Sequence, residues 1–228
     1  TGVSLDPNAK TIYLDPTDNI KNKKLVRHLL NNIAESSLRS IGSNIEKAYH
    51  SDAELRCFYP IDDIKGTESI KLKLWEPLIH SFPDLERRDN IIIGGSFNDK
   101  IFVATVGHLT GTFTNPWFDV PASSKTVHLR ICEVHQLKDQ KIIQTHVIID
   151  MMDFIRQAGF WPVNSSLGIE EMWPGPITGD GISLENLDEN LSKNSLNQAL
   201  TMQRSLDIKP EIEPNISHEQ IRDKLMRF

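Results

Sequence analysis

Hydrophobic residues recur along this 228-residue chain with two different periods, and the change of period divides it. From Lys21 to Tyr49 the apolar positions Leu25, Leu29, Leu30, Ile33, Leu38, Ile41 and Ile45 fall at three- and four-residue steps. That spacing predicts an amphipathic helix, or a helix pair broken at Gly42. A short run over residues 53–59 leads into Pro60 and a polar turn, and residues 66–80 read as a second helix, which Pro77 ends or bends. The period then changes. Residues 87–97, 100–113, 125–137 and 141–150 are rich in Ile, Val, Thr and Phe, and are separated by Asn98-Asp99, by Asn115-Pro116 with Pro121, and by Asp139-Gln140. Four strands joined by hairpin-like turns predict a curved antiparallel sheet, and the lack of crossover helices between them argues against a doubly wound parallel one. The expected fold class is α+β, with the helices packed on one face of the sheet.

The ends are less regular. Residues 1–20, with TIYL followed by DPTDN, predict an arm. After Asp153 comes a short helical piece, FIRQAG, and then a Pro/Gly-rich exit that closes the module near residue 178. From Ser183 the chain has helical spacing with a very polar face. KPEIEPN follows as a linker, and SHEQIRDKLMRF reads as a final helix with a capping box, Ser217 with Gln220 three residues on. The expected division is a module over residues 1–178 and a linker with helical extension over 179–228.

Strand alternation places side chains. In the 127–137 segment the odd positions give Val127, Leu129, Ile131, Glu133, His135 and Leu137 one face. If Asp139 and Gln140 form a two-residue turn, residue 138 pairs with 141, Glu133 faces His146, and Leu129 faces Asp150; a one-residue bulge would change that register.

Composition narrows the function. Twenty-five Lys plus Arg against 31 Asp plus Glu give a formal charge of −6, and no Lys/Arg run exceeds two residues, which argues against a mainly electrostatic nucleic-acid binder. Hydrophobic residues at 39% and charged residues at 25% are ordinary globular usage. Cys57 and Cys132 form no CxxC pair and read as buried thiols in a reducing compartment. No apolar run approaches the roughly 20 residues of a membrane-spanning helix, so the expectation is a cytoplasmic protein with no membrane partner.

No P-loop, dinucleotide fingerprint, HExxH or GxSxG occurs, so neither a cofactor nor a metal is expected. Asp150 follows the apolar run VII at a strand-to-helix junction and has two readings. It caps the helix, or it is a carboxyl in an apolar cavity whose pKa desolvation raises into the range of a general acid or base, with Asp153 as the cap instead. Glu133 and His135 read either as a cross-strand polar pair or as part of a site. His108, in GHLTG, is a satisfied strand histidine or faces a ligand. Trp117, in NPWFDVP, sits in a loop over the expected mouth of the sheet. His146 and Asp150, four apart on one face, lie roughly 13 Å from each other along a strand, so a metal shared by the two would need an unusual bulge.

The stretches FPDL (82–85), GHLTGTF (107–113) and LRICEVHQLKDQKIIQTHVIIDMMDFIRQAG (129–159) resemble the SnoaL-like polyketide cyclase, or ester cyclase, family. Its pattern is a Glu-x-His strand, an Asp/Gly-Lys hairpin, an aspartate fifteen residues after the histidine and a helix ending in a Gln-x-Gly turn. Glu133, His135, Asp139, Lys141, Asp150, Gln157 and Gly159 stand in those places, and the resemblance covers residues 22–160. It implies a cone-shaped barrel of the nuclear-transport-factor-two-like kind, a strongly bent, mainly antiparallel sheet around N-terminal helices. It further implies a homodimer formed through the outer sheet face. Such cyclases close a ring by an intramolecular aldol reaction without metal or cofactor, with an aspartate as acid/base. Asp150 matches that aspartate and His135 its partner, while His108, Glu133, His146 and Trp117 would line the substrate pocket. The chain departs from the pattern at His146, where the family often has Trp, at Gln136, where a basic residue is usual, and at DVPASSK, which replaces a PPTG-like loop.

The expected function is that of a cyclase- or isomerase-like enzyme acting on a small hydrophobic carbonyl compound. The alternative is a non-catalytic ligand-binding or dimerisation module of the same fold. The last helix resembles the opening of a second copy of the module, as in two-module relatives.

Overall fold

The computed structural model describes residues 16–160, 175–176, 178, 180–185, 188–206 and 217. Of the expected arm over residues 1–20, residues 16–20 are instead the first turns of a helix, and residues 1–15, most of the exit after Phe160, the KPEIEPN linker and, apart from the exposed Ser217, the last helix lie outside the described residues. The chain divides into two compact units, residues 1–185 and 186–228. The described part of the second is essentially one helix, α6 (Glu189–Leu206), whose Leu191 and Met202 are exposed.

The first unit opens with α1 (Pro16–Ala34) and α2 (Ile41–Ala48), followed by β1 (Tyr49–Arg56) and β2 (Ile64–Lys65). Helix α3 (Thr67–Ile70), a π-helical turn (Lys71–Trp75) and α4 (Glu76–Ser81) form one continuous helical stretch. The long strands β3 (Glu86–Phe97), β4 (Lys100–Thr112), β5 (Thr126–Lys138) and β6 (Lys141–Ile149) come next, then α5 (Met151–Ala158) and a 3-10 turn at Asp180–Ile182. The sheet is open, in the order β2-β1-β6-β5-β4-β3, and antiparallel except where β1 runs beside β6. This is the expected α+β architecture, consistent with a cone.

The four long strands fall where the period-2 pattern predicts them; β1 and β2 are the additions. The break between α1 and α2 lies at residues 35–40 rather than at Gly42, which is inside α2. Side chains cause it. The Ser36 hydroxyl donates to Asn32 O at 2.7 Å, and Asn44 Nδ2 donates to Asn32 O at 2.9 Å and to Ser36 Oγ at 2.8 Å, satisfying helix-end groups locally. Nor does Pro77 end the second helix. Proline lacks the N–H that would bond the carbonyl four residues back, and the widened π turn falls at that point, turning both Leu74 and Trp75 inward.

The two hairpins use the turn chemistry their sequences promise. Asn98-Asp99 and Asp139-Gln140 all adopt positive φ, the type I′ pattern that matches strand twist. Each of β3 and β6 then carries a bulge. In β3 the register shifts between Asp89 and Ile91, so Arg87 and Asp89 face inward before it and Ile92 after it. Opposite Asp89 on β4 stands Gly107, where a Cβ would lie 2.1 Å from the carbonyl oxygen of Arg88, an approach only glycine allows.

The bulge in β6 overturns the expected register. Lys138 pairs with Lys141, but one residue is absorbed before Gln136 pairs with Gln144. His135 therefore faces Thr145, Val134 faces His146, and Glu133 faces Val147. His146 is exposed on the outer face rather than opposite Glu133. On β5 the odd positions from Val127 to Leu137 are all buried, as predicted. Four of the six are aliphatic, each burial contributing roughly 1.5–3 kcal/mol, so the Glu and the His among them must be stabilised by their partners.

Candidate active site

Glu133 and His135 are held in a polar cluster inside the cone. Arg87 Nη2 donates to Glu133 Oε2 at 2.5 Å and to Thr105 Oγ1 at 2.8 Å, and Thr105 Oγ1 donates to the same carboxylate oxygen at 3.1 Å. Arg87 Nε donates to Asp89 Oδ1 at 2.8 Å, and Asp89 Oδ2 lies 3.8 Å from Nε of Arg27 on α1. Burial alone would push the Glu133 carboxyl up. The Arg87 guanidinium and the neighbouring imidazole outweigh it and hold the group far below the usual carboxylate range. Glu133 is thus a fixed anion.

His135 is completely buried. Its Nδ1 is 3.0 Å from Thr145 Oγ1, and its Nε2 is 3.8 Å from Glu133 Oε2, beyond ordinary hydrogen-bond length. The β6 bulge supplies this contact by bringing Thr145, and not His146, opposite His135. Because a hydroxyl both donates and accepts, Thr145 can serve either tautomer of the ring, leaving Nε2 able to hold or to accept a proton. Tyr49, at the start of β1, and Trp75, on the π turn, complete the cluster. The Tyr49 hydroxyl lies beside Thr145 and the Trp75 indole, yet neither Tyr49 OH nor Trp75 Nε1 closes a hydrogen bond of ordinary geometry. Burial first, and the Glu133 charge second, push the Tyr49 phenol up, so it stays protonated. Sequence reading missed Tyr49, Trp75 and Arg87. Arg87 faces inward beside the β3 bulge, Trp75 is turned inward by the π turn and Tyr49 opens β1, and no local motif marks them.

The other expected site residues lie elsewhere. Trp117 is buried in an aromatic group with Phe82, Phe113 and Phe154, at ring-centroid distances of 5.0–6.2 Å. Its loop closes tightly, with Trp117 and Val120 exchanging backbone hydrogen bonds around positive-φ Phe118 and Asp119. His108 pairs with Arg130, on the face opposite to Glu133, where its Nδ1 lies 3.2 Å from Asn90 Oδ1. Burial, then the nearby His128 and Arg130, lower its pKa.

Asp150 does not have the buried apolar setting expected of an acid/base carboxyl. It is the N-cap of α5: Oδ1 accepts from Asp153 N at 2.9 Å, and Oδ2 lies 3.0 Å from Arg130 Nη2. Its side chain is 36% exposed. Arg130 alternates with the inward Leu129 and Ile131, which puts this ion pair on the outer side of the sheet. Asp153, proposed as an alternative cap, instead binds Arg156, Arg130 and Gln157.

Several signature residues turn out to be latches. Asp84 of FPDL accepts from the Thr112 backbone N–H and hydroxyl, both at 2.6 Å, and Phe82 stacks on Phe113 at 5.1 Å, so FPDL clasps GHLTGTF. Gln157 binds both backbone groups of His128, and Gly159 ends α5 with φ of 96°. The pattern of the SnoaL-like polyketide cyclase family matches the sequence over residues 31–158, more than half of the chain. The chain belongs to that family.

Solved structures place this SnoaL-like chain in the same fold. A SnoaL-like protein from Jannaschia sp. CCS1 matches with a TM-score of 0.51 at 17% identity, covering 63% of this chain and 95% of that one. AclR from Streptomyces galilaeus matches at 0.51 and 19%, covering 63% and 99%. TsrD from Streptomyces laurentii matches at 0.50 and 13%, covering 61% and 96%. No curated protein matches the sequence. Among the described residues no group of His, Cys, Asp and Glu could hold a metal ion, and no helix is long and apolar enough to cross a membrane.

Proposed function

We propose that this SnoaL-like chain performs cofactor-independent acid/base chemistry on a small hydrophobic carbonyl compound, with His135 rather than Asp150 handling the proton. The observation that carries this reading is His135 itself. It is a buried imidazole held at Nδ1 by Thr145, with Nε2 free of a short hydrogen bond, beside the fixed anion of Glu133 and inside a largely aliphatic and aromatic wall. In the enolisation step the proton on the carbon next to the carbonyl moves to Nε2, and its bonding pair becomes the enolate whose charge rests on the carbonyl oxygen. Glu133 stabilises the imidazolium that forms, and Arg87 keeps Glu133 ionised. Ring closure would follow if that enolate met a second carbonyl on the same molecule.

Hydrogen–deuterium exchange tests this. Acetophenone in D2O with the protein is expected to lose its methyl proton signal faster than in buffer, and His135→Gln to abolish the acceleration. No acceleration by the folded wild type would remove the enzymatic reading. A second reading, a non-catalytic binding module, is favoured by the capping role of Asp150 and by the aromatic group that packs on itself inside the cone. We also propose a homodimer through the outer sheet face, because Ile93 and Ile148 there are 63% and 54% exposed. A monomer in sedimentation velocity would exclude it.

A further inference from the structure

The polar cluster contains buried donors that the acid/base step at His135 does not use: Nη1 of Arg87, whose charge Asp89 and Glu133 already compensate, and two neutral groups. Tyr49 and Trp75 are 1% and 2% exposed, lie side by side, and have neither the phenol O–H nor the indole N–H in a hydrogen bond of ordinary geometry. A buried donor without a partner costs free energy comparable to a lost hydrogen bond, so two adjacent ones are a candidate binding feature. Both are neutral donors on separate elements, the start of β1 and the π turn; Tyr49 approaches Thr145, the hydroxyl that holds His135, and Trp75 approaches Tyr49.

The charges nearby decide what these donors can accept. The buried guanidinium of Arg87 is already shared between Asp89 and Glu133. Arg27, 3.8 Å from Asp89, is a further cation that reaches this chain of charges, and it is partly exposed. Positive and negative charges therefore balance before any ligand enters. A carboxylate brought alongside Glu133 would be an additional buried anion without a counter-charge of its own, whereas a neutral carbonyl oxygen needs only donors.

We propose that Tyr49 Oη and Trp75 Nε1 form an acceptor-oxygen subsite for the carbonyl of a neutral, hydrophobic ketone. The subsite rests on the reading of the cone interior as a ligand site and supplies its substrate class. It excludes carboxylates, and it places the two donors where charge develops on oxygen when His135 takes the neighbouring proton. Donors fixed in a water-poor interior strengthen as that charge grows. The phenol suits the role because it remains protonated.

Carbonyl-labelled [13C]acetophenone and benzoate, nearly equal in shape and different in charge, test the proposal on the full chain at neutral pH. Wild type is expected to bind acetophenone at least about 10-fold more tightly than benzoate and to move its carbonyl carbon resonance downfield. Tyr49→Phe is expected to weaken acetophenone binding by about 3- to 10-fold, the usual size of one neutral hydrogen bond, and to lose part of the downfield shift. Trp75→Phe is expected to do the same, and circular dichroism identifies variants that keep the fold. The proposal is overturned if the carbonyl resonance is the same in folded Tyr49→Phe and Trp75→Phe as in wild type, if benzoate binds as tightly as acetophenone, or if acetophenone at its solubility limit gives no bound signal. A carbonyl shift without proton exchange retains the subsite and removes His135 chemistry. Exchange without the shift does the reverse.

Discussion

The Glu133 cluster inside the cone and the Asp150 cluster on the outer side of the sheet are built from the same side-chain types, and their surroundings make them different. Each joins carboxylates to arginine near histidine. Around Asp150 the contacts are short-range and lean on partly exposed partners: a backbone cap, a 3.0 Å ion pair with a 24% exposed Arg130, and, one turn on, the buried Asp153 held by the half-buried Arg156 and Gln157. Around Glu133 the groups are dry and come from β1, β3, β4, β5, β6 and the π turn, and donors remain over when the pairs are counted. A wet, local cluster secures a helix end. A dry cluster assembled from distant strands is expensive to keep, and its leftover donors are what makes it a site.

Breaking the inner pair should have the largest effect. Arg87→Met leaves Glu133 buried without its counter-charge, and the expected loss of folding stability in urea is about 3–5 kcal/mol. Pairing Arg87→Met with Glu133→Leu should recover most of that loss, because two apolar groups need no counter-charge. If the double variant is as unstable as the single, the pair is not the reason Arg87 matters.

Acid should separate the clusters next. The folded pKa of Glu133 lies below its ordinary value of 4.5, so on acidification the unfolded chain takes up that proton first. Its stabilisation is therefore whole above about pH 4.5 and is lost as pH falls further. His108, on the outer side, also has a lowered pKa, relative to 6.5. Being a base, it favours the folded state while neutral, so its contribution is whole above about pH 6.5 and declines below it. His128 and Arg130 oppose its charging and Asp153 favours it. Stability measured from pH 7 down to pH 3 is expected to fall in two stages. His108→Asn should flatten the upper stage and Glu133→Gln the lower, and an unchanged lower stage in Glu133→Gln would show that another carboxylate carries it.

The difference between the clusters also explains what could be read from the sequence. The four long strands and their turns were legible because alternation and type I′ turn residues are local signals: Val127 to Leu137 alternates without interruption, and Asp139-Gln140 turns where its residues allow. Glu133 and His135 were correctly placed inward by parity alone. What failed was anything downstream of a bulge. One extra residue in β6 exchanges Thr145 for His146 as the inward partner, and one extra residue at Asn90 allows Arg87 and Asp89 to face the same interior as Ile92. Neither bulge has a composition signal in a strand of Ile, Asn, Gln and Thr. The break between α1 and α2 failed for a related reason: Ser36 and Asn44 end the helix through side-chain bonds, while the glycine that looked like a breaker sits within α2.

The smallest expected effect discriminates most sharply. Asn is about as good an N-cap as Asp, so Asp150→Asn keeps the bond from the Asp153 backbone and loses only a partly exposed ion pair with Arg130, a change of about 0.2–1 kcal/mol. Asp150→Ala loses the cap as well and should cost about 1 kcal/mol more. Neither should slow acetophenone proton exchange in the folded protein, because the carboxyl faces away from His135. A folded Asp150→Asn that has lost exchange while His135→Gln retains it would reverse the assignment: the proton would then be handled at Asp150, and the outer cluster rather than the inner one would be the place where this chain does its chemistry.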